Sequence, residues 1–257
     1  MTTLDIEVDP SEVGLDADRL ARIDAHFRRY VDAGLLPGWQ LAVTRGGKRV
    51  HVARYGHRDV ENDLPVEDDT VFRIYSMTKP ITGVAMMQLF EQGKWQLDDP
   101  VTKYAPELAN LKLITFKDGK PVMKGGKPVL VDPTSAPTMR QIMSHTAGFG
   151  YGLCCTDPKA PNYNPVDEQF VKDGVLASAN LDEMMTKIAA IPLIYDPGTR
   201  WSYSISVDIQ GYIVQKLSGQ KFGDYLKANI FTPLGMNETS FILPEDKAAR
   251  FADVYGW

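Results

Sequence analysis

Cysteine is nearly absent. The chain has two in 257 residues, and these, Cys154 and Cys155, are neighbours. Adjacent cysteines form a strained bridge at best, which excludes a disulfide framework and fits a cytoplasmic setting. The four histidines, His26, His51, His57 and His145, show no ligand spacing, so no metal site is expected. No run of about 18 apolar residues is present to span a bilayer. The first residues, Met1-Thr2-Thr3-Leu4-Asp5-Ile6-Glu7, have neither the basic nor the apolar region of a signal peptide. Positive charge is not in excess either: the net charge of −5 gives no reason to expect nucleic acid or membrane as a partner. No internal repeat or low-complexity segment stands out.

What is present is an ordinary globular composition, 44% hydrophobic and 24% charged. The length suffices for one large domain or two intimate ones. Leu20, Ile23, Phe27, Tyr30 and Val31 share one face of a helix predicted over 16–33, with Asp16 and Asp18 at its start and Gly34 as its stop. Segments 39–44 and 49–55 read as strands, and Arg45-Gly46-Gly47-Lys48 turns them into an antiparallel hairpin. From Ser76 onward a helical period ends at Gly93, and further helical patterns run through 138–144, 181–190, 204–218 and 221–230. Two turn signals near 118 and 125 suggest a small hairpin excursion. Residues 148–168 are rich in Gly, Pro, Asn and Asp and read as a long loop, a candidate wall of a binding cleft.

Two Ser-x-x-Lys spacings occur, Ser76 with Lys79 and Ser218 with Lys221. With 10 serines and 16 lysines the spacing alone decides nothing. Ser218 sits at a helix stop beside Gly219, where a turn needs no chemistry. Ser76 follows the apolar run Val71-Phe72-Arg73-Ile74 and opens a helix, with Pro80 where a missing N–H is tolerated. Positions i and i+3 share a helix face, so Lys79 can turn its amine toward the Ser76 hydroxyl. For that amine to act as a base its pKa must fall from about 10.4 to roughly 7–8, on the order of 4 kcal/mol. A second polar partner is therefore demanded. Tyr203, after the Pro197-Gly198 turn, is the candidate phenol to share and relay a proton.

Five ordered stretches carry a resemblance. They are Ser76-Met77-Thr78-Lys79-Pro80; Gly93 with Leu97-Asp98-Asp99-Pro100-Val101 and Tyr104-Ala105-Pro106; and Thr138-Met139-Arg140 with Ser144-His145-Thr146-Ala147-Gly148. Tyr203-Ser204 follows, and last Pro233-Leu234-Gly235-Met236 with Thr239. Over roughly residues 14–242 the chain resembles the serine hydrolases of the class C β-lactamase and penicillin-binding-protein fold, family VIII carboxylesterases above all. The resemblance implies α/β plus all-α architecture, an antiparallel sheet flanked by helices with a helical domain. Residues 1–75 and 235–257 then belong to the sheet domain, and 76–234 to the mainly helical domain.

It also implies Ser76 as the acylated nucleophile, Lys79 and Tyr203 as proton-transfer groups, the Ser76 N–H as half of an oxyanion hole, and no cofactor. His145, Asp98 and Asp99 are expected to serve structure. Tyr75 and Ile205 are the candidate substrate-binding positions. In the β-lactamases and peptidases the tyrosine motif is Tyr-x-Asn, whereas here its third position is Ile205, which favours a small-molecule ester over a lactam. The alternatives on the same site are a β-lactamase or D-alanyl-D-alanine peptidase, an acyltransferase, or a non-catalytic protein that keeps the fold. The family's third motif (Lys-Thr-Gly, His-x-Gly or Trp-Gly-Gly) has no match before Trp257. The C-terminal strands of the sheet therefore read as missing from this chain, and the remaining part of the protein as a possible partner.

Overall fold

The structure, a computed structural model, describes residues 4–153, 156–157, 159 and 163–256. Cys154 and Cys155, on which the redox expectation rests, lie outside the described residues. The chain divides into two compact units, Met1–Tyr75 with Ser240–Trp257, and Ser76–Thr239.

In the first unit, helix α1 spans Ala17–Asp32, where the Asp16 carboxylate accepts from the Arg19 N–H at 3.0 Å. Strands β1 (Gly38–Arg45) and β2 (Lys48–Asp59) pair antiparallel with Leu41 opposite Ala53. Their turn is Gly46-Gly47, with φ of 59° and 79°, the conformation that tight hairpins require. A short β3 (Leu64–Pro65) completes the order β1-β2-β3. Trp39 of β1 packs on Phe27 of α1 with ring centroids 5.8 Å apart, so the helix covers one sheet face. The C-terminal segment returns to this unit, where Val71 bridges Phe251 and the Arg73 guanidinium donates to the Ala252 carbonyl at 2.7 Å.

The second unit is built on α2 (Thr78–Glu91) and α6 (Ser206–Ser218), which pack together. Helix α2 buries Thr82, Ala85, Met86 and Leu89, the i, i+3, i+4, i+7 stripe of a core-facing helix. Helix α6 buries Ile209, Tyr212, Ile213 and Val214. Around them lie α3 (Met139–Met143), α4 (Pro165–Lys172), α5 (Leu181–Ala189) and α7 (Phe222–Leu226), the last running into a π-helical segment at Lys227–Phe231. Helix α4 corrects the expectation of a loop to residue 168. Asn164 caps it through Val166 N–H at 3.0 Å, and Pro165 sits where no backbone donor is needed.

The excursion between α2 and α3 is built of hairpins as expected, but it departs from the sequence reading in being an internal repeat. It contains a tandem repeat, Phe-Lys-Asp-Gly-Lys-Pro-Val at 116–122 and Met-Lys-Gly-Gly-Lys-Pro-Val at 123–129. The first copy forms hairpin β5 (Phe116–Lys117) with β6 (Lys120–Pro121), the second β7 (Met123–Lys124) with β8 (Lys127–Pro128). A stem of β4 (Leu113–Ile114) and β9 (Leu130–Val131) carries both. Three bonds seven residues apart close the junction: Thr115 N–H to Val129 O (3.0 Å), Val122 to Thr115 (2.8 Å) and Val129 to Val122 (2.8 Å). Among the described residues no helix is long and apolar enough to cross a membrane.

Candidate active site

Ser76 lies in the single 3-10 turn Tyr75–Met77 that leads into α2, and Lys79 lies in the first turn of the helix. The turn begins with Tyr75 at φ 41°, a conformation that non-glycine residues rarely adopt. Tyr203 comes from the extended run before α6. Its hydroxyl stands 2.8 Å from Ser76 Oγ. Lys79 Nζ donates to Ser76 Oγ at 3.2 Å and to the Tyr151 hydroxyl at 3.2 Å, and lies 4.7 Å from the Tyr203 ring centroid. The three residues singled out by spacing and context are thus brought together, with Ser76 exposed and Tyr203 39% exposed.

The neighbours hold this group in place. The His145 ring stacks on Tyr203 at 5.1 Å and 25°, and its Nδ1 accepts from the Ser204 N–H at 3.2 Å. Burial, and then the charge of Lys79, pushes its pKa below the ordinary value, which fits a neutral ring acting as a prop. Asp98 pairs with Arg140 at 3.0 Å, and Asp99 accepts from Gln96 N–H at 3.0 Å and from Lys103 at 3.1 Å. Both acids stabilise turns. Tyr151, which the sequence reading passed over, hangs from Gly148-Phe149-Gly150. Its N–H and that of Gly152 donate to the buried Asp167 carboxylate at 2.8 and 2.9 Å. The available signal was an aromatic in a glycine-rich run.

Electrostatics correct one expectation. Burial of Lys79 works against its charge, but hydrogen bonds with Tyr203 and Tyr151 outweigh it and hold the pKa above the usual lysine value. The hydrogen bond from Lys79, and then that with Ser76, pulls the Tyr203 phenol below its ordinary value. Both shifts run toward a charged Lys79 and an easier ionisation of Tyr203, opposite in direction to the lowered amine pKa that the sequence reading required. Burial raises the carboxyl pKa of Asp208, in the first turn of α6, and Lys79 opposes that rise. Ile205 needs a second correction. Its side chain is fully buried in the core and its N–H donates to Gly150 O at 3.0 Å, so it offers a substrate no surface. Tyr75 is 68% exposed.

The beta-lactamase family model matches residues 23–257. The chain belongs to that family. Among its beta-lactamase-family relatives, Esterase EstB of Burkholderia gladioli is 33% identical over 96% of this chain and 58% of its own length. The ML-236A carboxylate methylbutanoyltransferase of Penicillium citrinum is 27% identical over 96% and 58%. Among solved structures, simvastatin synthase (LovD) from Aspergillus terreus superposes with a TM-score of 0.74 at 27% identity, covering 93% of this chain and 59% of that one. A class C beta-lactamase, at 20% identity over 96% and 56% with a TM-score of 0.66, shares the fold. The chain therefore has the beta-lactamase-like fold. It spans 54–58% of the curated relatives it matches.

Proposed function

We propose that the protein is a serine carboxylesterase that acts through an acyl-enzyme on Ser76. The observation that carries this reading is one exposed hydroxyl lying 2.8 Å from a phenol and 3.2 Å from an amine, at the start of a helix. The Tyr203 phenolate, held by the Lys79 ammonium, takes the Ser76 proton as Oγ attacks the acyl carbon. Tyr203 then gives that proton to the departing alkoxide, and the alcohol leaves. Water attacks the acyl-enzyme and passes its proton to Tyr203, which returns it to Ser76 Oγ as the acid departs. Helix α2 directs its positive end toward the developing charge. No metal or organic cofactor enters this route. The relative named an esterase supports hydrolysis as the outcome.

A second reading is acyl transfer to an alcohol, favoured by the relatives named as methylbutanoyltransferases. The two share the acyl-enzyme and differ in the acceptor. Intact-mass measurement after a fluorophosphonate should show one adduct per chain, absent in Ser76→Ala. A p-nitrophenyl ester should turn over faster than a chromogenic cephalosporin, and faster cephalosporin opening would reverse that order. An added alcohol that diverts most acyl product from acid to ester would favour the transferase.

A further inference from the structure

The two hairpins of residues 116–129 play no part in the chemistry above, yet they carry an arrangement that the fold does not need. Lys117 stands directly opposite Lys120 in the first hairpin, and Lys124 directly opposite Lys127 in the second. Like charges facing each other across a strand pair are destabilising. Here the unfavourable pair is built twice, by the same seven-residue unit. All four lysines are exposed, and none has an ion pair or side-chain hydrogen bond among the described residues. Their only charged companion in the repeat is Asp118, so 14 residues carry a net +3 in a chain of net −5. The turns have positive φ at both central residues, 51° and 75° at Asp118-Gly119 and 59° and 77° at Gly125-Gly126, the pattern of two-residue hairpin loops. Both lysine pairs are therefore presented at hairpin tips rather than on irregular coil.

We propose that this twinned hairpin docks on an anionic lipid surface, the four lysines meeting headgroup phosphates and carboxylates. Three features select lipid over other polyanions. Exposed side chains on the same excursion are aliphatic, Met123 at 49%, Leu130 at 43% and Val131 at 46%, and suit the headgroup boundary. The lone aromatic of the repeat, Phe116, packs toward the core, so no ring is offered for stacking on a base. The cations are all lysine, strongly hydrated point charges, and not the arginine forks that bind phosphate bidentately. The patch reverses the expectation from net charge, because an anionic surface within a Debye length responds to the local patch and not to the whole chain. The inference stands independently of the reaction at Ser76.

Vesicle co-sedimentation tests it. The purified protein should bind phosphatidylcholine vesicles containing about a third phosphatidylserine, and lose that binding in 0.5 M salt. Replacing one pair, Lys117→Gln with Lys120→Gln, should weaken partition roughly 30-fold, since each lysine near such a surface contributes about fivefold. The quadruple variant that adds Lys124→Gln and Lys127→Gln should no longer sediment, and should melt at the same temperature or higher because the facing charges are gone. Equal binding to pure phosphatidylcholine, or unchanged binding by the quadruple variant, would overturn the proposal. So would a lower melting temperature of that variant, which would make the lysines part of hairpin stability. Tighter capture by polyglutamate or a single-stranded oligonucleotide at the same salt would overturn the lipid assignment.

Discussion

A phenol can serve as the base for a serine only if something nearby stabilises its anion. In the proposed route Lys79, 4.7 Å from the Tyr203 ring centroid, is the group placed to do that, and the sign of the pH response follows. Tyr203 acts in that route as its phenolate, so kcat/KM should rise with pH through the lowered Tyr203 pKa, below the ordinary value of about 10. In Lys79→Gln the cation is gone, the phenolate is less stable, and the rising limb should move to higher pH. A limb that stays in place in that variant would remove Lys79 from the account. Tyr203→Phe should lower kcat by about 10²–10⁴-fold while leaving stability nearly unchanged, the range for loss of a general acid–base group. The juxtaposition of Ser76, Lys79 and Tyr203 was legible because spacing coincided with a helix start and a Pro-Gly turn. The upward direction of the Lys79 shift was not, because it depends on hydrogen bonds with Tyr203 and then Tyr151, the latter 72 residues away in sequence. Ile205 was misplaced for a related reason. Sequence shows that its side chain cannot hydrogen-bond, but not that it points into the core and that only its backbone is used.

The run Gly148–Gly152 works by close backbone approach. A Cβ at Gly148, whose φ is 88°, would stand 2.0 Å from the Tyr195 carbonyl oxygen. Ile194 N–H donates to Gly148 O at 2.8 Å, so the two segments lie side by side. Gly148→Ala should therefore destabilise the fold by more than about 1 kcal/mol, through backbone strain and the forced shift together. Denaturant unfolding would measure it, and an unchanged midpoint would refute the contact. Asp167 anchors the far end of the run. Asp167→Ala leaves the N–H groups of Tyr151 and Gly152 without their acceptor and should cost about 1–3 kcal/mol. Asp167→Asn keeps one oxygen and should recover most of that loss in the same assay. Helix α4 itself was hidden in the sequence by the Gly, Pro and Asn around it. Those residues are its start signal, Asn164 capping and Pro165 following, and they read as loop only when the eight helical residues behind them go uncounted.

Ser76, Lys79, Tyr151, His145 and Tyr203, which carry the proposed reaction or hold it in place, all belong to the unit Ser76–Thr239. The oxyanion requires more. In the resemblance drawn from the motifs, the second oxyanion donor sits on a strand carrying the third motif, and the chain spans 54–58% of the curated relatives it matches. Strand β1 hydrogen-bonds to β2 alone among the described strands, an open edge of the kind that takes up another strand. Acylation by an activated reagent and turnover of an ordinary ester should therefore separate. The 257-residue chain should take up one fluorophosphonate at Ser76, because that step draws on the nucleophile and its neighbours. Extending it in cis with a relative's segment that carries the third motif should raise kcat/KM for a p-nitrophenyl ester by about 10²–10³-fold, the contribution of one oxyanion donor. The extension should leave the adduct stoichiometry at one per chain. Equal ester turnover with and without the added segment would mean that the hydrolytic site, oxyanion donors included, is already whole within these residues.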